Sequence, residues 1–167
     1  MEARRHEGWL GALMLASLLV LACPAGAQSG PDLHLSPDLV PKPGLTPEQV
    51  VQIQLNALRH NDERNRGIEV AFRFASPDNK LQTGPLPRFI SMIHQGPYRL
   101  MLAYENVSYH PLELVEDVAR QRVTLIGAGL VVDYEFYLSR QGEGVCTGCW
   151  MTDAVVARRA SGLQVQS

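Results

Sequence analysis

From Trp9 to Ala22 the chain is apolar almost without interruption, and no later stretch stays apolar for as long. The run is about 14 residues, the length of a signal-peptide core, whereas a membrane-spanning helix needs roughly 20. Arg4 and Arg5 precede it, and Ala25-Gly26-Ala27 follows with small residues where a signal peptidase reads. Residues 1–27 are therefore expected to be a cleaved leader, with Pro24 ending its apolar helix. Val20-Leu21-Ala22-Cys23 resembles a lipobox, so lipidation of Cys23 and a membrane anchor through it is the competing reading. Arg4-Arg5 lacks the flanking residues of a twin-arginine signal.

Residues 28–45 carry Pro31, Pro37, Pro41 and Pro43, which precludes a helix and predicts an extended, mobile tether. Periodicity then starts sharply. Thr46-Pro47-Glu48-Gln49 is a capping box with proline at the first helical position. Val50, Val51, Ile53, Leu55, Ala57 and Leu58 supply the apolar face behind it. Between Asn65 and Ala75 the spacing of Ile68, Ala71, Phe72 and Ala75 favours a second short helix over a strand. Ser76-Pro77-Asp78-Asn79 reads as a turn. Phe89, Ile90, Met92 and Ile93 predict a third helix, closed by Gly96-Pro97.

The pattern next changes to strands, expected at Tyr104–Glu113, Gln121–Ile126, Leu130–Ser139 and Trp150–Val156. Leu130–Leu138 is the clearest, with Val132, Tyr134, Phe136 and Leu138 on one face and Val131, Asp133, Glu135 and Tyr137 on the other. Helices followed by an antiparallel meander predict an α+β domain over residues 46–158, with N-terminal helices packed on a curved antiparallel sheet of about four strands. Residues 159–167 are expected to be a disordered tail.

Several of these residues resemble a known family. Ser76-Pro77-Asp78-Asn79, Thr83-Gly84-Pro85 with Arg88-Phe89, the spacing of Met92 and Tyr98, and Gly148-Cys149-Trp150-Met151-Thr152-Asp153 resemble domain of unknown function 4864 over roughly residues 46–157. The element order is similar to the nuclear transport factor 2-like superfamily, a cystatin-like cone of helices against a sheet. That resemblance implies a fold and no activity, because the superfamily holds isomerases, dehydratases and binding modules alike.

Composition narrows the function classes. The 167 residues hold 15 basic and 17 acidic side chains, and removing Arg4, Arg5, Glu2 and Glu7 with the leader keeps the balance at −2. Without a basic stripe, nucleic-acid binding is not expected. There is no phosphate loop, nucleophile elbow or His-Glu-x-x-His, and no cofactor is expected.

Cys146 and Cys149 form an even pair once Cys23 is removed or lipidated. A structural disulfide is the first reading, followed by free thiols, a redox pair and, last, a metal site that would have to recruit His94 or His110. The pool for a pocket is His94, Tyr98, Asp133, Tyr134, Trp150 and Asp153. An inward Asp with Tyr or His would suit isomerase or lyase chemistry, with a carboxylate base and a hydrogen-bond donor. The leading expectation is binding of a small apolar ligand or a protein partner in the cell envelope, with a homodimer through the exposed sheet face as one form of partner.

Overall fold

The computed structural model describes residues 38–144 and 146–159. The leader, Cys23 and residues 160–167 lie outside the described residues. Four α-helices come first: α1 (Pro47–Arg59), α2 (Arg66–Arg73), α3 (Pro77–Thr83) and α4 (Leu86–Ile93). A 3-10 helix (Gly96–Leu102) follows, then β1 (Asn106–Tyr109), β2 (Glu113–Val115), β3 (Val118–Gly127), β4 (Leu130–Arg140) and β5 (Trp150–Arg159). This is an α+β domain, with the helices buried against one face of an open antiparallel sheet ordered β1-β3-β4-β5. No helix of the described residues is long and apolar enough to cross a membrane.

The helix α1 starts where its cap residues say it should. The Gln49 N–H donates to Thr46 Oγ1 at 3.2 Å, and the Thr46 N–H donates to Gln49 Oε1 at 2.9 Å. Two otherwise orphaned donors are thereby satisfied. Thr46→Ala is expected to lower stability by about 1 kcal/mol. A denaturant titration reads this as a lower midpoint at unchanged slope; an unmoved midpoint would show that Pro47 alone suffices to start the helix.

The expected turn at Ser76–Asn79 is instead the first turn of α3. Ser76 is its N-cap, its Oγ accepting from the Asn79 N–H at 3.2 Å, and Pro77 occupies the first helical position. The pairing repeats Thr46-Pro47, but α3 carries no apolar stripe, and Leu81 is 81% exposed. Gly96-Pro97 likewise opens the 3-10 helix rather than closing α4, which already ends at Ile93 with His94 as its C-cap. Leu39 and Leu45, in the described part of the expected tether, pack against the core, and the Leu39 carbonyl accepts from Arg73.

The sheet has five strands where about four were expected, because the stretch from Tyr104 to Glu113 divides at Pro111. Proline has no N–H for the ladder, and β1 and β2 pair with opposite ends of the same edge of β3. Buried Gln121 spans the gap, donating through Nε2 to the carbonyls of His110 and Arg122. β3 and β4 are joined by Ala128-Gly129, both at positive φ, as a two-residue hairpin requires. β4 alternates as its sequence predicts, with Tyr134, Phe136 and Leu138 buried among α1 and α2 side chains such as Ile53, Leu55 and Ile68.

β5 departs from regular pairing. Tyr137 pairs with Ala154, but Leu138 pairs with Thr152, so Asp153 is an extra residue in a β-bulge. The bulge reverses the strand's alternation, and Val155 and Ala157 pack against the core beyond it. The last strand also runs through Arg159, one residue past the expected end of the domain.

Candidate functional site

The bulge borders a cleft of about 160 Å³ between the helices and β5. Leu58 of α1, Ala71 of α2, Phe89, Met92 and Ile93 of α4, Met101 and Phe136 make its walls apolar. Its polar groups are Gln54, Asn79, Gln82, Thr83, Tyr98 and Asp153. No lysine, arginine or histidine lines it. Lys80, on the same helix as Asn79, turns elsewhere: its Nζ donates to the Arg73 carbonyl at 3.1 Å and lies 5.6 Å from the centre of the Phe72 ring. Burial pushes its pKa down.

A set of hydrogen bonds on Thr152 holds the bulge in place. Its N–H donates to the Phe74 carbonyl at 2.9 Å, and its carbonyl accepts from the Ser76 N–H and from Asn79 Nδ2, both at 2.9 Å. Its hydroxyl donates to Gln54 Oε1 at 2.7 Å, while Gln54 Nε2 donates to the Ala71 carbonyl at 3.0 Å. Ala75 and Thr152 form a parallel bridge, so the α2–α3 junction covers the outer edge of β5. Every polar atom of Thr152 is thus engaged, and the next residue, Asp153, is left at the rim of the cleft. Among the described residues the Asp153 side chain makes no hydrogen bond or ion pair.

Of the residues expected to form a pocket, the fold brings only Tyr98 and Asp153 together in this cleft. Tyr98 donates its hydroxyl to the Val155 carbonyl at 3.0 Å. Tyr134 is a core residue: its hydroxyl donates to the Pro97 carbonyl, and burial pushes its pKa far above the ordinary tyrosine value. Trp150 is also buried in the core, with the Arg140 guanidinium 5.1 Å from its ring centre. His94 is the exposed C-cap of α4, its Nε2 2.9 Å from Asn65 Oδ1. Asp133 points to the opposite face of the sheet, accepting from Thr124 Oγ1 at 2.6 Å.

That opposite face carries its own charged depression, lined by His110, Glu113, Arg120, Arg122 and Glu135. Its charges answer one another. Arg120 pairs with Glu113 at 2.6 Å, Arg158 with Glu135 at 2.8 Å, and Arg122 Nη2 lies 3.1 Å from His110 Nδ1. Hydrogen bonds from Arg158 and Tyr137 hold the Glu135 carboxyl below its usual range. This is the wiring of a solvated sheet face.

Cys146 and Cys149 have Cα atoms 5.5 Å apart and sulfurs at bonding distance, as the disulfide reading expects. Cys146 Sγ lies 3.4 Å from the Pro41 carbonyl oxygen, so the pair sits against the segment that leads into α1. Among the described residues no group of three or more His, Cys, Asp or Glu is placed to hold a metal ion.

Sequence reasoning missed Gln54, Asn79 and Thr83 as parts of the site. Gln54 carried a usable signal, a polar residue in the middle of the apolar stretch of α1. Asn79 and Thr83 were hidden with α3 itself.

The family model described as domain of unknown function (DUF4864) matches residues 44–164, and the chain belongs to that family. The match takes in every element of the fold and the whole cleft. No curated protein and no solved structure matches the chain.

Proposed function

We propose that this member of the domain of unknown function 4864 family binds a small, mainly apolar ligand in the cleft bordered by Asp153, and does so outside the cytoplasm. The observation that carries the reading is an apolar cavity of about 160 Å³ with a few convergent polar groups, built on packed elements. A dry cavity of nearly this size, about 150 Å³, holds benzene in another protein, which sets the scale of the ligand. The helices-then-meander order supports a nuclear transport factor 2-like relationship as the architecture around it.

Catalysis of the isomerase or lyase type is the second reading, favoured by Asp153 and Tyr98 sharing the cleft. It ranks lower because the Tyr98 proton is already given to the Val155 carbonyl, and no histidine lines the cleft to serve as acid or base. Export is supported by the pattern of residues 1–27. Mass spectrometry of the mature N-terminus tests it: a start at Gln28 fits a cleaved leader, a lipid-modified Cys23 fits an anchored form, and an intact Met1 defeats both.

Ethylbenzene tests the binding site. It is expected to shift the amide resonances of Asp153–Val155 and of α4 saturably, in the micromolar to millimolar range. Met92→Trp fills the cleft from α4 and is expected to weaken binding at least tenfold while leaving the circular dichroism spectrum unchanged. Saturable binding that survives this substitution would place the ligand elsewhere; no binding at all would remove the reading.

A further inference from the structure

Resting on the cleft as a ligand site, we propose that its natural ligand is a small amphiphilic amine, an apolar body of about benzene size carrying one ammonium group that Asp153 receives. The inference comes from a count of donors and acceptors. The lining hydroxyls have given their hydrogens, and the Asn79 and Gln54 amides have each given one of their two. Asn79 Nδ2 donates to the Thr152 carbonyl, the Thr83 hydroxyl to the Asn79 carbonyl at 2.9 Å, and the Tyr98 hydroxyl to the Val155 carbonyl. Gln54 is used at both ends.

Beside the remaining amide hydrogens, these groups leave a ligand acceptor capacity and the only carboxyl group of the lining. The Tyr98 and Thr83 oxygens keep lone pairs after donating, and an ionised Asp153 carboxylate can accept but not donate. Gln82 stands exposed at the rim with its amide uncommitted, and the Gln54 and Asn79 amides each keep a second hydrogen. A ligand with its own carboxylate or phosphate would find no lining cation to answer it and would meet the Asp153 carboxylate. A neutral hydrocarbon would fill the walls but leave Asp153 unanswered. An ammonium group supplies three donors and a positive charge beside a carboxylate, in a cleft whose lining includes the aromatic residues Phe89 and Tyr98.

The placement of Asp153 strengthens the case. As the extra residue of the bulge, it takes no part in the pairing of β4 with β5. Bulges that re-aim a side chain recur beside functional sites. Here the neighbouring residue is fastened at every polar atom, whereas the re-aimed carboxylate has no partner among the described residues.

The test titrates the full chain with three matched probes: 2-phenylethylamine, 2-phenylethanol and 3-phenylpropionate. The amine is expected to bind at least about tenfold tighter than the alcohol, as a charge-assisted hydrogen bond implies, and the carboxylate weakest of the three. Asp153→Asn is expected to remove the amine's advantage over the alcohol, bringing the two to equal affinity. Alcohol and amine binding equally well to the unaltered protein would overturn the amine proposal and leave the cleft reading standing. Failure of all three probes to bind would overturn both. The comparison among probes needs no variant, so it holds even if Asp153→Asn fails to fold.

Discussion

Gly67→Ala is expected to destabilise the domain by about 3 kcal/mol, although alanine is the better helix former by up to about 1 kcal/mol. Gly67 lies near the start of α2, where that helix packs against the end of α1. A Cβ there would overlap the Ala57 carbonyl oxygen and come within 2.8 Å of Asn61 Cα. Both obstacles are backbone atoms, so relief requires the two helices to separate, not a side chain to swing aside. Separation would also disturb the cleft, because Ala71 of α2 and Leu58 of α1 both line it. Thermal unfolding should register a fall of roughly 10 °C in Tm for a domain of this size. Gly142→Ala serves as the control: an added Cβ there meets nothing within 4 Å, and its φ lies outside the left-handed region. That control is expected to stay within about 0.5 kcal/mol of the parent. Equal Tm values for the two variants would refute the close-approach argument.

Gly67 also shows where the sequence was readable and where it was not. Its neighbours Ile68 and Ala71 disclosed α2 by their spacing, yet nothing local revealed that glycine was needed for contact with α1. The same division runs through the fold. Thr46-Pro47 announced α1 because a strong cap was followed by a strong apolar stripe. Ser76-Pro77 offered an equal cap but introduced a helix whose Leu81 faces solvent, so periodicity had nothing to detect. The alternation of β4 was legible, and it already set Asp133 on the face opposite Tyr134. Those two residues could not share a pocket, and the structure places neither in the cleft. The bulge in β5 had no compositional mark. One extra residue in a strand is a matter of register with its partner, and register belongs to the pair. Asp153 could therefore be suspected from its type, but its separation from Trp150 could not: one lines the cleft and the other is packed in the core.

The hydrogen bond that fastens the bulge carries the second large effect. Gln54 is 5% exposed and Thr152 1%, so neither can turn to water if the other is removed. Gln54→Met preserves length and apolar shape but leaves the Thr152 hydroxyl without its acceptor and takes a donor from the Ala71 carbonyl. Thr152→Val preserves shape almost completely and leaves Gln54 Oε1 without its donor. Each single substitution is expected to cost about 2–3 kcal/mol, mainly from stranding a buried polar group. The double substitution strands less, because both partners leave together. Its cost should therefore fall short of the sum by about 1–2 kcal/mol, the coupling expected of groups in direct contact. Denaturant titrations of the four proteins close the cycle. Strictly additive costs would mean that the 2.7 Å contact does not hold α1 to β5. Coupling of the expected sign would bear on the cleft as well. Gln54 lines that cleft, and Thr152 is the residue from which the Asp153 carboxylate is aimed, so the bond that stabilises the core also sets the direction of its one unanswered charge.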